Sequence, residues 1–132
     1  MRDEAIDVMF EGRPGARALF YEVRRYIESL DPVTIEFTKS QASFRNRSKF
    51  AWVWLPQRHV RERSEVGIVL TFGLDRKIDD RQIAEAVEPY PGRWTHHVVI
   101  EEEYDLNEKL RGWLWEAYGF GMRRGKAPRP KR

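Results

Sequence analysis

Cysteine is absent from the 132 residues of the chain, and long apolar runs are absent as well. Without cysteine the protein has no disulfides, no thiolate nucleophile and no Cys-based zinc site. No segment approaches the roughly 18 to 20 consecutive apolar residues that span a bilayer, and residues 1–4 lack the apolar core of a signal peptide. We therefore expect a soluble, cytoplasmic protein that has no membrane partner.

The motifs that mark many enzymes are also missing. The sequence contains no glycine-rich phosphate loop, no G-x-S-x-G nucleophile motif and no paired-carboxylate signature. One reaction type stays open, since Ser40 or Ser43 could act as a nucleophile with His97 as its base, although serines in connections usually bond to backbone groups. The pattern favours a protein that is not an enzyme, with no catalytic residues and no cofactor.

Histidine occurs at three positions, His59, His96 and His97. Neighbouring side chains on a strand point to opposite faces, so His96 and His97 cannot easily share a metal ion, and neither HxH nor HExxH spacing occurs. We expect no metal site. His96 is predicted to be a buried, hydrogen-bonded core residue, and His97 to lie on the opposite face beside polar residues.

Charge is unevenly distributed, although the formal net charge is only +3. Residues 39–63 contain seven basic residues and one acidic residue, and residues 122–132 contain six basic residues and no acidic one. Basic clusters of this kind attract polyanions and small anionic ligands. The composition predicts a single domain over residues 1–121, followed by a basic, disordered tail over residues 122–132.

Apolar residues recur at helical spacing in four segments. Asp79 is the expected start of the third helix, and Asp105 with Glu108 forms a capping pair for the last one. Gly119 and Gly121 are expected to end that last helix. The predicted helices cover residues 3–11, 16–30, 79–87 and 105–118.

Strand-like patterns occupy most of the remaining chain. Short connections between the first three segments favour sequential antiparallel pairing. We predict an α+β fold, a single domain with a largely antiparallel sheet of about five strands and helices mainly on one face. The predicted strands cover residues 33–38, 42–47, 49–55, 65–72 and 93–100.

The segment 50–55 is apolar on both parities, which is typical of a central strand. Side chains alternate between the two faces of a sheet, and the bulkier parity is the natural partner of the helices. On this interpretation Trp52, Trp54, Leu70 and Trp94 lie in the core. The opposite face then carries small apolar residues with a polar border.

The polar border of that opposite face is the predicted binding site. Parity places its members on one side of the sheet, although they come from segments about fifty residues apart. Two of them are arginines, whose planar guanidinium groups suit phosphate and carboxylate ligands. The predicted ligand-binding residues are Lys39, Gln41, Arg45, Arg93, Thr95 and His97.

Two functions from different classes fit this face. The first is a non-enzymatic binding module whose cationic sheet face accepts an anionic ligand, either nucleic acid or a small phosphate or carboxylate compound. The second is an interaction module that uses Val53, Val69 and Val99 as a homodimer interface rimmed by the arginines. Base stacking on the tryptophans is a further way to bind nucleic acid, although their apolar spacing favours the core.

Four segments also carry a family resemblance: T-K-S-Q-x-x-F at 38–44, F-A-W-V-W-L-P at 50–56, L-T-F-G-L at 70–74 and V-E-P-x-P-G-R-W-T-H-H at 87–97. They resemble a family of uncharacterised bacterial proteins, classed as a domain of unknown function, and the resemblance spans residues 15 to about 118. The family is distantly similar to YdhG-like α+β proteins, which implies the α+β fold. Relatives placed beside nuclease-like domains imply a nucleic-acid context, and the resemblance implies no catalytic residues.

Overall fold

The structure, a computed structural model, describes residues 4–56 and 67–126. The elements in chain order are α1 (Glu4–Met9), α2 (Pro14–Glu28), β1 (Thr34–Phe37), β2 (Gln41–Arg45), β3 (Lys49–Trp54), β4 (Ile68–Leu74), β5 (Glu85–Tyr90), β6 (Arg93–Ile100) and α3 (Glu108–Lys126). A single 3₁₀ turn at Glu103–Asp105 precedes α3. The predicted α+β fold is confirmed.

The six strands form one antiparallel sheet in the order β1-β2-β3-β4-β6-β5. Five of them coincide with the predicted segments to within a few residues at each end. The sixth is β5, which lies where the spacing predicts a helix opened by Asp79. The predicted strand count is therefore one too low, and the predicted third helix is wrong.

Backbone pairing at the sheet edge explains why β5 is a strand. Asp80 accepts the N–H of Gln82 at 2.8 Å, which closes a local turn instead of starting a helix. The N–H of Ala84 then donates to the carbonyl of His97 at 2.8 Å, and the chain continues as a strand against β6. Pro89 has no N–H to donate, which an outermost strand tolerates, and the register of β5 shifts beside it.

Helices α2 and α3 pack against one face of the sheet. The ring centroid of Phe20 on α2 lies 6.0 Å from that of Phe37 and 6.4 Å from that of Phe44. Trp113 on α3 stacks on Phe72 at 6.2 Å. We call the face that carries Phe37, Phe44 and Phe72 the covered face. The prediction that the helices lie mainly on one face is confirmed.

Helix α3 begins after Asn107, whose side-chain oxygen accepts the N–H of Leu110 at 2.9 Å. The predicted capping pair of Asp105 and Glu108 is wrong. The Asp105 carboxylate instead accepts the N–H of Glu102 at 3.0 Å and closes the 3₁₀ turn that precedes the helix. The capping pattern is real, but it belongs to the neighbouring turn.

Helix α3 also ends later than the sequence pattern predicts. It passes Gly119 and Gly121 and continues to residue 126. Residues 122–126 are therefore helical, so the helix extends past residue 121, where the predicted tail begins, while residues 127–132 lie outside the described residues. Neither α3 nor any other helix of the described chain is long and apolar enough to cross a bilayer.

Close packing accounts for the glycine at position 121. A Cβ atom there would lie 2.9 Å from Oδ1 of Asn46 and 2.9 Å from Cβ of Phe50. The Asn46 amide donates to the carbonyl of Tyr118 at 2.9 Å, and the Ser48 hydroxyl donates to the carbonyl of Gly121 at 2.9 Å. The turn between β2 and β3 is thereby joined to α3, and Gly121 permits the close approach.

The prediction of which side of β3 faces the helices is wrong. Ala51 and Val53 are fully buried and lie in register with Phe72 and Leu70 on the covered face. Helix α3 packs on β3 and β4 here, so small side chains fit where large ones would collide. Strand alternation alone cannot reveal this choice, because both parities of residues 50–55 are apolar.

Trp52 and Trp54 consequently lie on the other face, which we call the open face, and both are half-buried. The prediction that they belong to the core is wrong. Leu70 is fully buried on the covered face, as predicted. Trp94 has the covered-face register, opposite Leu74, but it remains half-buried near the sheet edge.

Candidate functional site

The open face contains a concavity of about 240 Å³ between β2 and β6. Strand pairing explains how it is assembled, because Trp54 pairs with Gln41 on β2 and Thr71 pairs with His97 on β6. Three of the predicted ligand-binding residues are among its walls. The lining residues are Gln41, Trp52, Trp54, Thr71, Thr95 and His97.

A chain of hydrogen bonds fixes one wall of the concavity. Nε1 of Trp54 donates to Oγ1 of Thr71 at 2.8 Å, and the same oxygen lies 2.8 Å from Nδ1 of His97. The rings of Trp54 and His97 also meet edge to face, with centroids 5.9 Å apart. The Thr71 hydroxyl has one proton and two lone pairs, so it holds His97 through Nδ1 in either neutral tautomer of the ring.

The environment of His97 favours its neutral form. Burial lowers the pKa of His97 below its ordinary value, while the Glu85 carboxylate on β5 acts in the opposite direction. A neutral ring held through Nδ1 leaves Nε2 as the nitrogen that can form a hydrogen bond with a ligand. His97 is therefore suited to hydrogen-bonding a ligand at pH 7 and less suited to neutralising the charge of that ligand.

Arg93, at the beginning of β6, places a positive charge beside the concavity. Its guanidinium lies over the Trp52 ring, with Cζ 5.8 Å from the ring centroid. Gly73 on β4 makes room for it, because a Cβ atom there would lie 2.7 Å from Nη2 of Arg93. Arg93 thus borders the concavity beside Trp52, and its position depends on the glycine.

Arg45 and Lys39 are not brought to the concavity. Arg45 has the open-face parity of Gln41, but it lies four residues further along β2, about 13 Å away at the usual strand rise. Its Nε lies 3.7 Å from Glu36, and it lines a separate cavity beside Thr34. Lys39 is exposed in the turn between β1 and β2. The convergence of all six predicted residues is therefore wrong for these two.

Ser43 does not form a catalytic pair with His97. Its hydroxyl contacts the carbonyl of Glu36 at 3.5 Å, and it is almost fully buried. Three strand spacings of about 4.8 Å each separate β2 from β6, so the serine oxygen is far from the imidazole. Ser40 is exposed in the β1–β2 turn, where its N–H bonds to Thr38.

His96 is a core residue, as predicted. It is fully buried on the covered face, where its Nε2 accepts the N–H of Ile78 at 3.0 Å and its ring stacks on Phe72 at 5.1 Å. Burial lowers its pKa. The third histidine, His59, lies outside the described residues.

Three residues of the concavity were not predicted as site residues: Trp52, Trp54 and Thr71. The two tryptophans are assigned to the core by their bulk, whereas parity places Thr71 on the same face as Gln41 and His97 without marking it as a binding residue. One signal in the sequence points the other way. Val53 and Ala51 alternate with the tryptophans, and small residues of this kind commonly mark the side where a helix packs closely.

The fold and the concavity together define a class of protein, a small α+β domain with an open sheet face that carries aromatic and polar side chains. Residues 6–121 match the family model described as Domain of unknown function (DUF5655). The chain belongs to this family, which confirms the expected membership of a domain-of-unknown-function family. No curated protein and no solved structure matches the chain.

Proposed function

We propose that the protein is a binding module, not an enzyme, and that its open face binds an anionic ligand, which is a nucleic acid or a smaller phosphate or carboxylate compound. One observation carries the proposal: the concavity combines half-buried tryptophans with Arg93 at its border. Indole rings offer a flat apolar surface, and a guanidinium next to it supplies a charged hydrogen-bond donor.

The polar groups of the concavity suit a ligand that carries a ring. Gln41, Thr95 and His97 surround the indoles, and each can donate or accept hydrogen bonds at the edge of a planar ring. A few placed polar groups in a mostly apolar depression are typical of small-ligand sites. The supporting feature is thus the combination of ring surface and edge donors.

The charges of Glu85 and Arg93 favour one orientation of an anionic ligand in the concavity. Glu85 lies opposite His97 in the β5–β6 pairing, so that end of the concavity is unfavourable for an anion. Arg93 lies at the start of β6, four residues before His97. We therefore place the anionic group of the ligand at Arg93 and its uncharged ring between the tryptophans and His97.

A homodimer across the open face is the competing function. Of the three valines predicted for that interface, Val53 is fully buried on the covered face, so it is not available there. Val69 and Val99 have the open-face register. The half-buried tryptophans could equally pack against a second copy, so the oligomeric state must be measured together with ligand binding.

The proposal is tested by titrating the protein with AMP, citrate, inorganic phosphate and a 12-nucleotide single-stranded DNA while tryptophan fluorescence is recorded. Saturable binding of at least one anion is expected. Arg93→Ala should weaken it about tenfold, the size of one charged hydrogen bond. Arg25→Ala, an equal charge loss on α2, is the matched control and should leave the affinity unchanged.

Three results would contradict this function. The first is no saturable binding of any of the four anions, and the second is an equal loss of affinity in Arg25→Ala. The third is a dimer in light scattering that dissociates in Trp52→Ala or Arg93→Ala without any anion binding, which would favour the interaction module.

A further inference from the structure

A row of alternating aromatic rings and cations leads away from the open-face concavity. The Arg93 guanidinium lies 5.8 Å from the Trp52 ring and 6.0 Å from the Phe120 ring. The Arg123 guanidinium lies 5.7 Å from the centroid of the same Phe120 ring. Two cations from different elements, β6 and α3, therefore share one phenylalanine, and the positive charge extends beyond the concavity.

A second group of cations lies at the β2–β3 turn. This turn is fastened to α3 by Asn46 and Ser48, which donate to helix carbonyls at 2.9 Å. Arg45 and Arg47 flank Asn46 and line a cavity of about 280 Å³ that also contacts Met122 on α3. Residues 45–47 of one basic segment thus meet Met122, the first residue of the other.

Two of these cations, Arg123 and Arg45, have an acidic neighbour. Arg123 lies 3.8 Å from Asp75, and Arg45 lies 3.7 Å from Glu36. Both ion pairs are long, and the side chains that form them are well exposed to solvent. Exposed pairs of this kind contribute little and exchange readily for a more highly charged partner.

We infer that the anionic ligand is a single-stranded nucleic acid, with a base in the open-face concavity and the backbone phosphates running over Arg93 and Arg123 toward the β2–β3 turn. This inference rests on the proposed function and specifies its ligand. A single small anion would engage Arg93 alone, whereas a row of cations that continues onto another element matches a chain of phosphates.

Single strands fit this surface better than a duplex does. Half-buried Trp52 and Trp54 offer their rings to a base that is already unstacked, whereas bases in a duplex are stacked on one another. The donors and acceptors of Gln41, Thr95 and His97 then contact the exposed edge of that base. Stacking accepts any base, so we expect weak sequence preference.

The test uses fluorescein-labelled oligothymidylates of 2, 4, 8 and 12 nucleotides, with AMP as the short reference, and records anisotropy from 20 to 200 mM NaCl. The Kd should fall at least tenfold from the dinucleotide to the 12-mer, beyond the statistical gain from additional registers. Oligouridylates of the same lengths show whether RNA or DNA is preferred.

Two variants distinguish binding in the concavity from binding along the row formed by Arg93, Phe120 and Arg123. Arg123→Ala should weaken the 12-mer several-fold and flatten the slope of log K against log salt by about 0.7, the value for one phosphate contact on a single strand, while AMP binding stays unchanged. Gly73→Ala should displace the Arg93 side chain, because the added Cβ would lie 2.7 Å from Nη2, and should weaken AMP and the 12-mer alike. Arg25→Ala should change neither.

The outcomes distinguish this inference from the function on which it rests. If AMP binds and length adds nothing, or if a 12-base-pair duplex competes as well as the single strand, the inference is overturned and the anion-binding module stands. An unchanged salt slope in Arg123→Ala overturns it as well. If no anion binds at all, both fail.

Discussion

The covered face and the open face of the sheet are formed by the same strands, but they place opposite residue types at neighbouring positions. Ala51 and Val53 are fully buried against the helices, while Trp52 and Trp54 are half-buried on the other side. The larger side chains are thus on the more exposed face. The space left by a packed helix, and not side-chain size, decides which parity of these strands enters the core.

The adjacent histidines repeat the contrast. His96 on the covered face accepts one backbone hydrogen bond through Nε2, and its Nδ1 has no partner among the described residues. His97 on the open face is held through Nδ1 by Thr71. Burial lowers the pKa of both rings. The first therefore serves packing, whereas the second has a nitrogen to offer a ligand.

The largest expected effect comes from truncating one large residue on each face. Leu70→Ala should lower the free energy of unfolding by about 3 kcal/mol, because it opens a cavity in a fully buried site. Trp52→Ala removes a larger side chain but should cost only about 1 kcal/mol, since the indole is half-buried and borders solvent. Urea denaturation measures both values. A Trp52→Ala loss as large as that of Leu70→Ala would show that the open face is part of the core.

A smaller effect is expected from two glycines on α3. Gly121→Ala should destabilise the protein by about 1 to 3 kcal/mol, because its Cβ would lie 2.9 Å from Phe50 Cβ. Gly119→Ala is the matched control, since the nearest atom to its Cβ is 3.6 Å away on Arg123. That change should stabilise α3 by about 0.5 to 1 kcal/mol. Equal signs for the two variants in thermal unfolding would contradict the close docking of the β2–β3 turn.

The smallest effect is the pH dependence that His96 contributes. Because burial lowers its folded-state pKa, the unfolded chain takes up a proton at a pH where the folded protein does not. Its contribution to stability is thus present above pH ~6.5 and lost as the pH falls from there toward the folded-state pKa, by at most about 1.4 kcal/mol per pH unit. Protonation of Nε2 would also remove the hydrogen bond from Ile78.

Urea denaturation of the wild type and of His96→Gln between pH 8 and pH 5 measures this contribution. The wild type should lose more stability than the variant below pH 6.5, since glutamine can accept the Ile78 hydrogen bond without titrating. Parallel curves would mean that His96 titrates with the same pKa in the folded and the unfolded protein. They would place it in a more solvated setting than the covered face provides.

Much of the fold could be predicted from sequence periodicity. Helix α2 and strand β6 have strong patterns, and their positions agree closely with the structure. Strand β5 could not be found in this way, because it is defined by backbone pairing with β6. Its Pro89, when only the local sequence is considered, is typical of the end of a helix. The same limit applies to Gly121, whose role depends on a turn about seventy residues away.

The candidate site was predicted only in part, for a related reason. Parity correctly groups Gln41, Thr95 and His97, which all line the concavity. It fails for Arg45, since parity specifies a face but not the position along a strand. It also fails for the tryptophans, because their face depends on where α3 packs.

The bonds between the β2–β3 turn and α3 join residues that are 72 and 73 positions apart. During synthesis, the turn therefore forms these bonds only after about 70 further residues have been added. A ribosome adds about 5 to 20 residues per second, so the hairpin waits roughly 4 to 14 seconds for the helix that buries it. During that interval Phe50 and Phe72 lack their aromatic partners Tyr118 and Trp113. The nascent chain is then most exposed to aggregation, and chaperone binding should be concentrated in this window.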